Sequence, residues 1–184
     1  GARGLGMGGA QAASVNDITS GYWNPAGLTL GVGDLQLGLM HAEYFGGIGK
    51  YDYAALAIPT KNKNRTLGIS FMRFAVDDIP NTLYLVEPDG SVNYNNISTF
   101  SSADYAVLLS FAQQLKKTDD VEINVGGNAK IIHRSVGSFA KAWGFGLDAA
   151  IQVKKDKWLL GLVARDVTTT FNAWTFTFTE REKE

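Results

Sequence analysis

The chain contains no cysteine, 4 prolines and 2 histidines in 184 residues. The lack of cysteine excludes disulfides, thiol nucleophiles and thiolate metal sites, and is compatible with an oxidising compartment. Charge of either sign is not in excess: the formal net charge is −1, which gives no electrostatic reason to expect nucleic acid or an acidic substrate. No stretch approaches the ~20 apolar residues of a membrane helix. That excludes a helical membrane protein but not a membrane barrel, whose strands need only about ten residues and conceal their apolar face by alternation. Scarce proline beside 21 glycines without a period excludes collagen and does not suggest disorder. No serine or threonine stands in a nucleophile-elbow motif. No enzymatic activity and no cofactor are expected.

The first thirty residues, GARGLGMGGAQAASVNDITSGYWNPAGLTL, are rich in Gly and Ala and nearly free of charge. They read as neither strand nor helix. Behind them the chain alternates with period two, which places successive side chains on opposite faces of a sheet. The clearest run sets Trp143, Phe145, Leu147, Ala149, Ile151 and Val153 against Ala142, Gly144, Gly146, Asp148, Ala150 and Gln152. Val121, Ile123, Val125, Ala129 and Ile131 likewise oppose Glu122, Asn124, Asn128 and Lys130. Tyr105, Val107, Leu109 and Phe111 oppose Asp104, Ala106, Ser110 and Gln114, and Trp158, Leu160 and Leu162 oppose Gly161 and Arg165. Leu67, Ile69 and Phe71 oppose Thr66, Gly68 and Ser70; Leu35, Leu37 and Leu39 oppose Gln36, Gly38 and Met40. The run Tyr51 to Pro59 is apolar on both faces, so its inward side stays open. A last run sets Trp174, Phe176 and Phe178 against Thr175, Thr177 and Thr179. About seven strands plus that last one are expected, fewer if two merge.

Short polar connections (61–64, 116–120 and 154–157) alternate with longer ones (44–50, 76–102 and 134–141). Short turns at one end and long loops at the other are the asymmetry of an outer-membrane barrel. Alternation alone does not say which face meets lipid, since the apolar face of a soluble β-sandwich is its core. Two details favour the barrel. The polar face carries Gly, Ala, Ser, Asn and Gln rather than dense Lys and Glu. Aromatics (Tyr44, Phe45, Tyr51, Tyr53, Trp143 and Trp158) fall toward strand ends, as an interfacial girdle requires. The expected fold is therefore all-β: a membrane-spanning antiparallel β-barrel, with residues 1–32 as a glycine-rich plug and 33–184 as the strands. The polar residues Asp104, Glu122, Asn124, Asn128, Lys130, Asp148 and Arg165 are expected to face the lumen.

Gly1-Ala2-Arg3, Gly6-Met7-Gly8-Gly9-Ala10, Asn16-Asp17 and Trp23-Asn24-Pro25-Ala26-Gly27-Leu28 resemble the start of PorV/PorQ-family outer-membrane proteins. These are relatives of FadL-type transporters of hydrophobic compounds. The resemblance implies a short N-terminal plug, containing the Asn-Pro-Ala element, ahead of a fourteen-stranded barrel in a bacterial outer membrane. Seven or eight strands are about half of that, which implies a truncated chain. The start at Gly1 without Met implies a removed upstream segment, such as a signal peptide. Two functions follow from the resemblance. One is a non-enzymatic component of type IX protein secretion in Bacteroidota, binding secretion-system proteins or secreted cargo. The other is a channel for fatty acids or other hydrophobic small molecules. The Gly27-Leu28 that follows Asn-Pro-Ala is the general family form and does not single out the secretion subgroup.

The plug motif comprises Arg3, Gly6, Gly8, Gly9, Trp23, Asn24, Pro25 and Ala26. Gly4, Gly6, Gly8 and Gly9 permit turns closed to other residues and close approach to the wall. Pro25 pushes Asn24 toward extended geometry, and Asn24 can bond neighbouring backbone. Arg3 needs a buried partner, for which Asp104, Glu122 and Asp148 are candidates. Few charges and several glycines make this segment the part most expected to move.

Other motifs carry less. Gly4 to Gly9 formally matches the dinucleotide fingerprint GxGxxG, but no strand precedes it and no helical units follow. His41 and His133 lack companion ligands and are expected at the interface or in loops. Asp77-Asp78 and Asp119-Asp120 lack the full loop pattern of a calcium site. Asn64-Arg65-Thr66 and Asn96-Ile97-Ser98 match glycosylation sequons, which carry no information in a bacterium. The long connection 76–102 holds Leu83, Tyr84, Leu85, Tyr94 and Phe100. It is read either as a partner-binding loop or as a loop folded on its own barrel rim.

Overall fold

The computed structural model describes residues 1–31, 34–61 and 63–177. Val32 of the expected plug, Asn62 of the first short turn, and Phe178 and Thr179 of the expected last strand lie outside them. Among the described residues eight strands form one antiparallel sheet that curls into half a barrel: β1 (Gln36–Tyr44), β2 (Gly49–Pro59), β3 (Arg65–Asn81), β4 (Ser98–Lys117), β5 (Val121–Val136), β6 (Ala140–Lys155), β7 (Trp158–Ala164) and β8 (Phe171–Phe176). Neighbours in space are neighbours in sequence from β1 to β7, as in an up-and-down meander. β7 pairs with Ala149–Lys155 of β6 and β8 with Ala140–Phe145. They therefore lie end to end along one partner, a single line of chain interrupted at 165–170. The merging of two expected strands takes this form.

The N-terminal residues build three short helices, α1 (Ala2–Gly6), α2 (Ser20–Trp23) and α3 (Leu28–Gly31), with a 3-10 turn at Pro25–Gly27. They lie against one face of the sheet, the inner face. Asn24 is extended at φ −159°, ψ 102°, as the proline behind it requires, and Pro25 opens the 3-10 turn. Leu28 packs with Ala57 and Ala112 between segment and sheet, with Ile18 against them.

The period-two reading holds on β1 and β3–β7. Along β6, residues 140, 142, 144, 146 and 148 are buried while 141, 143, 145, 147 and 149 are exposed. The face left open on β2 also resolves. Tyr53, Ala55 and Ala57 turn inward and are buried, while Ile58 stands outward. The inward residues of β2 pack beside the N-terminal segment, where Tyr53 binds Ile18 O and Ala57 meets Leu28.

Two expectations need correction. The regular alternation of short and long connections is absent. The connections expected to be long at 44–50 and 134–141 shrink to Phe45–Ile48 and Gly137–Phe139, because the strands continue almost to the turn. Among the described residues only the β3–β4 connection is long, at 82–97, and it too is shortened by paired extensions of both strands. Phe100 accordingly sits in β4 opposite Ile79, not in the loop. In the expected aromatic girdle, Tyr44, Tyr51 and Tyr53 face inward and line a cleft beside the N-terminal segment. Trp143 and Trp158 do face outward and are exposed.

Candidate functional site at the inner face

The inner face mixes small and apolar residues with polar ones, and polar side chains there bind the N-terminal segment. Asn128 donates from Nδ2 to Gly21 O at 2.9 Å and to Asp148 Oδ2 at 3.1 Å, and accepts from Ser110 Oγ at 2.7 Å. Gln152 donates to Ala13 O at 2.5 Å and Val15 O at 3.1 Å. Tyr53 donates from its hydroxyl to Ile18 O at 3.0 Å. Thr29 Oγ1 lies 2.9 Å from Asn124 Oδ1. Arg165 donates to Tyr22 O at 3.1 Å and lies over the Tyr22 ring at 5.2 Å.

Asn24 is the central contact. It is fully buried. Its Oδ1 accepts from Ala26 N at 3.0 Å, the neighbouring-backbone bond expected of it. Its Nδ2 also donates to Ala12 O at 2.6 Å and to Ile151 O on β6 at 3.2 Å. One side chain thus caps its own turn, ties two parts of the segment together and joins both to the wall. Such bonds contribute roughly 0.5–1.5 kcal/mol each, and leaving the buried partners unmatched costs about 1–3 kcal/mol. The expectation of a lightly anchored segment is not met in this arrangement, because backbone carbonyls replace side-chain charge as the anchors.

Wall glycines make the approach possible. A Cβ at Gly126 would stand 2.5 Å from Ala26 N, and one at Gly161 would stand 2.1 Å from Ala12 O. The obstructing atoms are backbone and cannot swing aside. Of the N-terminal glycines, Gly8 and Gly9 adopt positive φ, 58° and 83°. Gly4 is needed where its Cα meets the Trp23 ring, since a Cβ would be 2.7 Å from it. Gly6 has open space around it and meets neither demand. Trp23 itself packs edge-on against Tyr22 at 4.9 Å.

Arg3 has none of the three carboxylate partners expected for it. It is exposed in α1 and reaches Ser14 O at 3.5 Å. Asp104 instead pairs with Arg134 through two bonds of 2.5 and 2.6 Å. Glu122 accepts from Gln114. Asp148 and Asp166 both pair with Lys130 Nζ, at 2.8 and 2.7 Å. Asp148 also accepts from Asp166 N at 3.0 Å, and Thr170 donates to Asp166. This cluster fastens the 165–170 interruption to the wall. Asp166 and Thr29 were not singled out in the sequence, Gln152 was read only as one of the polar face and Tyr53 as a girdle aromatic; the in-strand glycines Gly126 and Gly161 are the signal that could have marked a close backbone approach there.

Beyond the segment, toward the long loop, lies a cleft of about 350 Å³ lined among others by Tyr51, Met72, Phe74, Trp174 and the Asp104–Arg134 pair. The loop 82–97 is ordered by its own bonds. Asn96 Nδ2 donates to Tyr84 O and Glu87 Oε1, each at 2.8 Å, and Val86 bridges Val92. Leu83 and Tyr94 stand exposed, Tyr84 and Leu85 are partly covered, and Phe100 packs edge-on on Phe139 at 5.1 Å. Among the described residues, no group of three or more His, Cys, Asp or Glu is placed to hold a metal.

Protein-family models, curated proteins and solved structures were all compared with the chain, and none matches.

Proposed function

We propose that the protein is an integral outer-membrane β-barrel protein of the PorV/PorQ kind, with residues 1–32 as its plug and the described strands as part of its wall. The observation that carries this is an inversion of polarity. Large apolar side chains stand exposed on the outer face, among them Leu39 at 77%, Leu162 at 69% and Phe145 at 56%, while Asn24, Asn124 and Thr66 are fully buried inside. An exposed apolar surface of this extent in water is unfavourable at roughly 25 cal/mol per Å², whereas a bilayer is its natural medium. No second sheet covers that face among the described residues, so a soluble β-sandwich has no support. Extraction at alkaline pH tests the membrane reading: the full-length protein stays with outer-membrane vesicles, and release into the aqueous phase would refute it.

Within that reading, the protein acts as a non-enzymatic partner in type IX secretion. The support is the Trp23-Asn24-Pro25-Ala26 resemblance and the ordered loop that presents Leu83 and Tyr94. Pull-down of the full-length protein should recover secretion components or cargo, and a Leu83→Ala/Tyr94→Ala variant should lose them. Recovery of none by the unaltered protein would count against it. The aromatic cleft above the segment favours the second reading, a channel for hydrophobic small molecules. That reading requires lipid or detergent bound in the cleft and fails if a full-length structure has a sealed, empty lumen.

A further inference from the structure

The outer wall is not equally apolar all the way round. Strand register sets outward residues side by side in ranks. One rank runs His41, Asp52, Arg73, Tyr105, His133 and Trp143, each directly opposite the next. Over β1–β3 this rank is charged: His41 Nδ1 lies 2.7 Å from Asp52 Oδ1, and Arg73 donates to Asp52 Oδ2 at 3.2 Å. Over β4–β6 it is aromatic: Tyr105 stacks on His133 with centroids 6.2 Å apart, and His133 lies 4.3 Å from Trp143. A second rank, nearer the short turns, runs Arg65, Gln113, Val125, Ile151 and Leu162. It too begins polar and becomes apolar.

Strand tilt does not account for this. A rank inclined to the membrane plane carries one boundary into the apolar layer as it carries the other out. Here both boundaries become more apolar toward β6, so the belt itself thickens. The outward apolar stretch is Leu67 to Phe71 on β3 and Trp143 to Val153 on β6. At ~3.3 Å per residue these span about 13 and about 33 Å along the strands. With a tilt of ~40° the longer one matches an apolar band of about 25 Å, and the shorter one falls well below it.

We propose that the bilayer meets this wall as a thin apolar layer beside β1–β3 and at full thickness beside β5–β6, with headgroups drawn together between Arg65 and the Asp52-centred ion network. This rests on the lipid-facing reading above. Lipid is the occupant favoured over a protein because His41, Asp52 and Arg73 satisfy one another and require no external countercharge. A short apolar stretch is accommodated by local thinning and by polar side chains reaching outward, at fractions of a kcal/mol per Å of mismatch.

The absence of cysteine makes single-cysteine nitroxide labelling direct. Labels at Arg65→Cys, Arg73→Cys, Trp143→Cys, Ile151→Cys and Leu147→Cys are placed on the full-length protein in phosphatidylethanolamine–phosphatidylglycerol liposomes. Collision rates with oxygen and with a water-soluble nickel chelate then report depth. Expected is a several-fold preference for nickel at 65 and 73, and a preference for oxygen at 143, 147 and 151. A preference for oxygen at either 65 or 73 would mean that the ranks are merely inclined across a uniform layer, and would overturn the uneven belt while leaving the lipid-facing reading intact. Nickel access at 147 would overturn both. His41→Cys, in the same rank, replaces Arg73→Cys if that variant fails to assemble.

Discussion

The two faces of β6 are built by opposite rules. Its buried residues are small or polar, Gly144, Gly146, Asp148 and Gln152, whereas its exposed residues are Trp143, Phe145 and Leu147. A water-soluble sheet sorts the same residues the other way. On the inner face, cohesion comes from hydrogen bonds to segment backbone and from glycines that let backbones meet. On the outer face the described chain adds the ion pairs of His41, Asp52 and Arg73 and the stack of Tyr105, His133 and Trp143, and leaves Phe145 and Leu147 uncovered. The same strand therefore specifies two environments, and substitutions on its two sides and on those of its neighbours should fail for different reasons.

The largest effect is expected outside. Leu109→Arg, in the middle of the belt, should cost about 2–4 kcal/mol in urea-dependent folding into vesicles. A cost near zero would mean that this face meets water. Inside, Gly126→Val should cost about 3 kcal/mol, the upper part of the range for overpacking, because backbone at Ala26 blocks the new side chain. Hydrogen exchange over residues 11–28 would rise in that variant, and unchanged protection would argue against the seating described. Asn24→Ala should cost about 2 kcal/mol by leaving Ala26 N–H, Ala12 O and Ile151 O unmatched, with exchange rising at the same residues. The smallest contrast separates Gly6, the last residue of α1, from Gly8 in the turn behind it. Gly8→Ala should cost about 1 kcal/mol, for a left-handed residue given a Cβ, while Gly6→Ala should be neutral or slightly stabilising. Equal melting shifts for the two would contradict their different surroundings.

Much of the wall was legible in the sequence because period-two alternation is a local property. Leu37 and Leu39, or Phe145 and Leu147, announce their face without reference to the rest of the chain. Loop lengths were not legible. Val76–Asn81 and Ser98–Ser102 continue the ladder through polar residues and a register shift at Asp77-Asp78, where no apolar rhythm marks a strand. Tyr51 and Tyr53 were misread as girdle residues because β2 is apolar on both sides, and only tertiary packing chooses the inner one. Of the segment, Asn24 and Pro25 were readable through local backbone chemistry. The second role of Asn24, toward Ile151, spans 127 positions and leaves no local trace. The same holds for Arg3 and for Asp166, whose partners are chosen by folding rather than by spacing.

The central claim is that the outer face of this wall meets lipid and the inner face does not. It is tested most directly by a bimane scan of single cysteines from 143 to 152 on the full-length protein, read in vesicles with and without brominated phospholipid. Expected is quenching with period two, strong at 143, 145, 147, 149 and 151 and weak at the positions between. A flat profile, or strong quenching at 144, 146 and 148 instead, would contradict a lipid-facing outer wall.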